Sequence, residues 1–168
     1  MANDGKFLNL TNGKKTLESA IDSSAGAGDA NKIIMTDSSG LIDSTFIPSI
    51  GDISVEASEA LDAGDFVELH LDGGTLKMRK ADNSNARQAD GYVLNAVAAA
   101  ANGVIKPLHV GVNNGLSGLT IGTRYFLGTA GDVTTTPPTG SGELVQCLGI
   151  ARSATELYMT PEDPVLIS

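Results

Sequence analysis

Two histidines and one cysteine are the side chains of this 168-residue chain best suited to nucleophilic or metal chemistry, and their setting argues against both. His70 and His109 fall on separate expected strands, and two imidazoles without a convergent set of further ligands make a poor metal site. Cys147 has no second cysteine to pair with, so an intramolecular disulfide is excluded. It lies in the apolar run Leu144 to Ile150, where a thiol serves as a small buried hydrophobe. There is no Gly-x-Ser-x-Gly elbow, no His-Glu-x-x-His and no phosphate-binding loop; Gly26-Ala27-Gly28 precedes Lys32 with the wrong spacing and no following Ser or Thr. Asp37-Ser38-Ser39-Gly40-Leu41-Ile42-Asp43 alternates carboxylates and hydroxyls before a glycine, as calcium loops do. The closing bidentate glutamate is missing, so the segment reads as a turn. These residues predict no catalytic group, no metal site and no cofactor, and so a protein that is not an enzyme.

Charge narrows the partners. Twenty acidic residues against eleven Lys and Arg give a net charge of -9, the wrong sign for a nucleic-acid binder, which needs clustered cations to displace counterions. The one local basic concentration is Lys77, Arg79, Lys80 and Arg87, with Lys77 and Arg79 on one strand face. It reads as a solvated strand edge guarded by lysine, with contact to an acidic protein surface as the alternative. No stretch approaches the roughly 20 apolar residues that span a bilayer, and the first residues lack a charged region followed by an apolar one, so neither a membrane nor a secretory signal is expected.

The elements that would hold any site are short. Tryptophan is absent and glycine abundant, so a core must come from Val, Leu, Ile and Ala, which suits thin β structure rather than a helical bundle. From Asp52 onward, turn signals recur at Asp62-Ala63-Gly64, Asp72-Gly73-Gly74, Asn102-Gly103, Asn113-Asn114-Gly115 and Ala130-Gly131-Asp132, with Pro137 to Gly142 after them. Between them lie strand-sized segments at 53–57, 66–71, 76–80, 92–98, 104–110, 124–127, 144–151 and 157–160. The expected fold is mainly β, a compact antiparallel barrel or sandwich. Its predicted core includes Val67, Leu69, Leu71, Val93, Val97, Leu148 and Ile150, taken from alternation between turns. The alanine-rich run before Asn102-Gly103 is read as part of a hairpin rather than as a short helix.

Residues 1–50 differ in kind from residues 51–168. Here apolar spots are isolated among Gly, Ser, Asn, Asp and Thr, and a brief helix is expected only at Lys14 to Asp22, where Leu17 and Ile21 stand four apart. Ordering a residue costs roughly 1–2 kcal/mol of backbone entropy, while a buried Leu, Ile or Phe returns about 1.5–3 kcal/mol. Such sparse spots cannot order the segment alone. This extended N-terminal arm is therefore expected to lie on its own strand domain, a sister subunit or a larger partner, the other reading being a flexible leader. Phe7, Leu10, Ile33, Ile34, Phe46, Ile47 and Pro48 are its contact candidates.

The arm also carries a resemblance. Its stretch from Ala25 to Pro48, with Lys32-Ile33-Ile34, the turn Asp37-Ser38-Ser39-Gly40, then Ile42-Asp43-Ser44 and the terminal proline, resembles a phrase of tailed-bacteriophage virion proteins. Glu59 to Val67, Gly122 to Gly128 and Val145 to Ala151 are similar to phrases of phage capsid decoration (cement) and head-fibre proteins. That resemblance implies a β-tulip-like decoration domain at 51–168. It implies an arm bound to the major capsid protein or to neighbouring copies, a homotrimer before a dimer, and a place on the outer capsid surface after synthesis in the bacterial host cytoplasm. A tail-fibre or appendage adaptor is the alternative, and a small β-barrel enzyme ranks below both.

Overall fold

The computed structural model describes residues 6–11, 14–30, 32–43, 46, 51–109 and 111–168. The chain divides into two compact units, Met1–Ile50 and Gly51–Ser168. In the first, β1 (Lys6–Thr11) and β2 (Lys14–Ser19) pair antiparallel with Leu8 opposite Leu17. The helix expected at Lys14 to Asp22 is thus a strand followed by an isolated bridge from Ile21 to Ile34. The two residues between the strands, Asn12-Gly13, form the dipeptide that most favours a two-residue hairpin, and that local signal outweighs one i,i+4 apolar pair. The predicted turn at Asp37 is present: its Oδ1 accepts from the backbone of Ser39 at 2.8 Å and of Leu41 at 2.9 Å. None of the described side chains of this unit is buried.

The second unit has two cores of its own. β3 (Ile53–Ala57), β4 (Phe66–Asp72), β5 (Thr75–Lys80), β6 (Gly91–Tyr92) and β7 (Asn102–Pro107) close a barrel in the order β3-β5-β4-β6-β7. Its pairs are antiparallel except β3 with β5. Val55, Leu61, Val67, Met78, Val93, Val97 and Ile105 are among the residues that fill it. Beyond it come β8 (Val112–Asn113), β9 (Arg124–Leu127), β10 (Val133–Thr134), β11 (Leu144–Val145), β12 (Cys147–Ala151), β13 (Leu157–Met159) and β14 (Val165–Leu166). Five of these make an antiparallel sheet, β10-β9-β12-β13-β8, and β11 pairs with β14. The period-2 alternation of β4 serves both cores. Val67 points into the barrel, whereas Phe66 joins Tyr92, its cross-strand partner, in a second cluster with Tyr125, Leu127, Leu148 and Leu157. The Phe66 and Tyr92 rings are tilted with centroids 6.0 Å apart.

Three buried amides lie where barrel segments meet the second sheet. Gln146, between β11 and β12, accepts from Ala89 N at 2.8 Å and donates to Ala89 O at 3.0 Å. Asn113 of β8 donates to Gly64 O at 2.9 Å, and Asn83 donates to Leu127 O at 2.8 Å. Each pairs a backbone group that burial would otherwise leave unsatisfied.

Of the predicted core residues, Val67, Val93, Val97 and Leu148 are buried and Leu69 packs partly against the barrel core. Leu71 and Ile150 are not core: they are 74% and 37% exposed. Leu71 pairs with Leu76 at the end of the β4–β5 hairpin, where register pairs β4 only with β5. In β12 a bulge between Cys147 and Gly149 shifts the pairing with β9, so Leu148 and Ala151 face the core while Ile150 faces out. The segment expected as a strand at 92–98 is only β6 plus a bridge from Val97 to Leu61. The alanine run is a turn into β7 and contains no helix. Val110 lies outside the described residues, and β7 ends at Pro107.

Leu148→Ala should cost about 2–5 kcal/mol in denaturant unfolding, and Leu71→Ala should stay within about 0.5 kcal/mol of wild type. Gln146→Leu keeps the volume but strands the Ala89 N–H and C=O, with an expected loss of about 1–3 kcal/mol for each orphaned group.

Candidate interaction surfaces

The sequence-predicted contact residues occupy different places in the first unit. Leu10 lies on β1 opposite Lys15, and Phe7 on the same strand is half-buried. Ile33 and Ile34 run beside Ile21, which donates to Ile33 O at 2.9 Å and accepts from Met35 N at 2.9 Å. Both isoleucines are about half exposed, and Phe46 is half-buried. Ile47 and Pro48 fall outside the described residues. The bridge therefore gathers Ile33 and Ile34 with Met35 on one segment, while the hairpin forms a separate display. Residues beyond the seven candidates share that character: Leu8 is 61% exposed, Leu17 71%, Leu41 64% and Ile42 56%. Leu8 and Leu17 emerge as a surface only through strand pairing, which the helix expectation for Lys14 to Asp22 concealed.

In the second unit the basic concentration is spent internally. Lys77 Nζ lies 2.9 Å from Asp72 and 3.2 Å from Glu56, Arg79 Nε lies 2.6 Å from Glu68, and Lys80 Nζ lies 3.0 Å from Asp65. The hydrogen bonds they donate to Asp72 and Asp65 hold the Lys77 and Lys80 ammonium groups above the ordinary lysine range. β5 also lies between β3 and β4 inside a closed barrel, so the expected lysine-guarded edge does not exist. Arg87 is half-buried and forms a backbone bridge with Asp82.

The histidines do not meet on neighbouring strands. His70 is on β4, with Nε2 3.1 Å from Ser58 Oγ, whereas His109 is exposed in the turn after β7. His70 Nδ1 is enclosed without a hydrogen-bond partner among the described residues. Cys147 is buried, with Arg124 Nη1 3.4 Å from its sulfur. Among the described residues no three His, Cys, Asp or Glu side chains are grouped to hold a metal ion, and no helix is long and apolar enough to cross a membrane. A recess of about 500 Å³ beside Leu94, Asn95, Asn102 and Lys106 offers amides and one ammonium group.

Among the apolar displays of this unit, two are set by strand register. One is the Leu71–Leu76 pair at the hairpin end, 74% and 47% exposed. The other crosses four strands of the five-stranded sheet in register, from Arg124 to Ile150 to Tyr158 to Val112. Tyr158 is 53% exposed, and ion pairs flank the row: Arg124 with Glu162 at 2.6 Å and Arg152 with Glu156 at 3.1 Å.

No protein-family model and no curated protein matches the chain. Among solved structures it is similar to the head fiber gp8.5 N base of bacteriophage phi29, at a TM-score of 0.43 and 12% identity, over 70% of this chain and 92% of that one.

Several carboxylates of the second unit bind backbone rather than cations. Asp82 caps the 3-10 turn Asn83–Asn85 through Ser84 N at 2.9 Å and Ser84 Oγ at 2.7 Å, and it accepts from Ala130 N at 3.2 Å. Burial pushes its carboxyl upward, but the donors from Ser84, Ala130 and Asn85 outweigh burial and hold it below the ordinary aspartate value. A carboxyl depressed on folding stabilises the fold above its unfolded value near pH 3.9, and that stability disappears as pH falls through the folded value. Thermal melting below about pH 4 should therefore decline less steeply in Asp82→Asn than in wild type.

Proposed function

We propose that this chain is a structural virion protein that binds the outer surface of a bacteriophage capsid and cements or decorates the shell. The observation that carries the reading is the contrast between the units. Gly51–Ser168 encloses two apolar cores, whereas Met1–Ile50 has secondary structure but none of its described side chains is buried. A two-stranded hairpin is marginally stable by itself, so a segment that displays leucines and isoleucines in this way is built to be covered. The phrases at Ala25 to Pro48, Glu59 to Val67 and Gly122 to Gly128, which resemble those of phage decoration and head-fibre proteins, supply the kind of surface: the major capsid protein of a repeated shell.

On this reading the arm is the staple and the β unit is the projecting body. Each arm contributes a few separated apolar contacts, and the repeated lattice multiplies modest attachments into a durable one. The reading includes no catalytic step and no cofactor. Self-association as a homotrimer, or failing that a dimer, belongs to it.

The test is co-sedimentation of the full-length protein with capsids of the phage that encodes it. Wild type should sediment with heads in many copies, and Ile33→Asp/Ile34→Asp should reduce the bound fraction by at least about tenfold, since each buried isoleucine contributes about 1.5–3 kcal/mol, without changing the melting temperature. Unchanged binding by the double variant would remove the arm as the staple. A few copies confined to tails would favour the appendage adaptor instead.

A further inference from the structure

The turn between β9 and β10 and the loop between β10 and β11 enclose a recess of about 430 Å³, lined by Asn83, Asp132, Glu143, threonines and two prolines. One wall is a buried amide whose oxygen the fold does not use. We propose that this recess binds a neutral sugar ring, a pyranose unit of a carbohydrate.

Asn83 is 7% exposed and belongs to the 3-10 turn that Asp82 caps. Its Nδ2 donates to Leu127 O at 2.8 Å, which fixes the other amide atom as oxygen, an acceptor. No described residue donates to that oxygen. Nor is it sealed off, since the enclosed side-chain atom left without a partner among the described residues is His70 Nδ1. Asn83 Oδ1 therefore opens on the recess that its residue lines. An acceptor held on so deeply buried a side chain is unfavourable unless a ligand or water supplies the donor.

The two carboxylates are held in the same half-used way. Asp132 Oδ1 accepts from Val133 N at 2.7 Å, and Glu143 Oε2 accepts from Gly140 N at 2.6 Å. Each bond fixes its carboxylate and leaves the second oxygen open to donors. Position 140 has to be glycine for this approach, because a Cβ there would lie 2.8 Å from Glu143 Oε2. Thr134 Oγ1, by contrast, is engaged within the loop, donating to Thr136 O and accepting from Thr136 N, both at 3.2 Å. Acceptors thus exceed donors along the lining: Asn83 Oδ1 and the second carboxylate oxygens only accept, while the Thr129 and Thr139 hydroxyls do either. That pattern selects a ligand bringing several O–H donors. Pro137 and Pro138 also line the recess. Their ring carbons offer an apolar wall to the C–H face of a sugar, on a backbone whose fixed φ needs little ordering on binding.

Size decides between a sugar and a lone cation. Calcium takes about six to eight oxygens at roughly 2.3–2.6 Å, a tight cage, whereas this recess falls in the roughly 300–1,000 Å³ range of small-molecule sites. Asp132 and Glu143 repel an anionic sugar, so the ring is a neutral one. The recess lies wholly within Gly51–Ser168, and the site is independent of the arm and of the virion reading.

The experiment titrates isotope-labelled full-length protein with glucose, galactose and mannose in turn, following backbone and side-chain amide resonances by NMR. Saturable shifts centred on the Asn83 side chain, Gly128, Asp132 and Gly140 are expected with at least one sugar, at a millimolar Kd. The uronic acid of that sugar should bind at least about tenfold more weakly. Asp132→Asn and Glu143→Gln keep the oxygen that holds Val133 or Gly140 and turn the second one into a donor, so each should weaken binding at least about tenfold at an unchanged melting temperature. If either lowers the melting temperature, Thr139→Trp, at an exposed position, crowds the recess instead and should abolish the shifts. No saturable shift with any of the three sugars overturns the proposal, as does binding that all the variants leave unaltered. Shifts centred on the recess beside Asn95 and Asn102 overturn it too, and so does calcium chloride moving these resonances when no sugar does, which would make this a cation site.

Discussion

The second unit depends on the covering of one outward barrel face. A five-stranded barrel this small has room inside for little more than Val67, Met78, Val93 and their neighbours, and Phe66 and Tyr92, pointing the other way, would expose two aromatic surfaces to water. The five-stranded sheet removes them from solvent, and burial of rings of that size dominates core energetics. Gln146, Asn113 and Asn83 make the covering directional, because each amide bonds the backbone at a particular place across the layers: Gln146 at Ala89, Asn113 at Gly64 and Asn83 at Leu127. The approach is close enough that a Cβ on Gly64 would lie 2.6 Å from Gly115 O. Apolar area drives the two layers together, and these bonds set the register.

Much of this was legible from residue order. The strands at Ile53–Ala57 and Arg124–Leu127 end where their turn residues end, and Phe66 to Lys80 reads directly as a hairpin around Asp72-Gly73-Gly74. What escaped the pattern was non-local. Alternation in Leu148-Gly149-Ile150 puts both branched residues on one face, but the extra residue at the bulge turns Ile150 outward. Only the partner strand reveals that shift. Leu71 obeys its alternation and is exposed all the same, since the hairpin continues past the strands that would enclose it. On the arm, the i,i+4 pair Leu17 and Ile21 suggested a helix where Asn12-Gly13 was the stronger instruction. The isolated character of the arm's apolar spots was readable from composition; the Leu8–Leu17 surface required the ladder.

Electrostatics separates the units as clearly as burial does. Lysines that looked like an outward basic patch in sequence are neutralised along the barrel by Asp72, Glu56, Glu68 and Asp65. Exposed pairs of this sort contribute little stability individually. Their effect is to leave the body with little unpaired positive charge, since six of its seven Lys and Arg side chains meet a carboxylate.

The position of β3 has a mechanical consequence. It is the first strand after the arm, and it is hydrogen-bonded on both sides, to β5 in parallel and to β7 antiparallel. A pull directed along β3 would load the bonds on both of its sides. Ladder bonds loaded lengthwise share the force and must fail together, whereas bonds pulled from one end open one after another. β3 is thus clamped from two directions by its neighbours in the closed barrel.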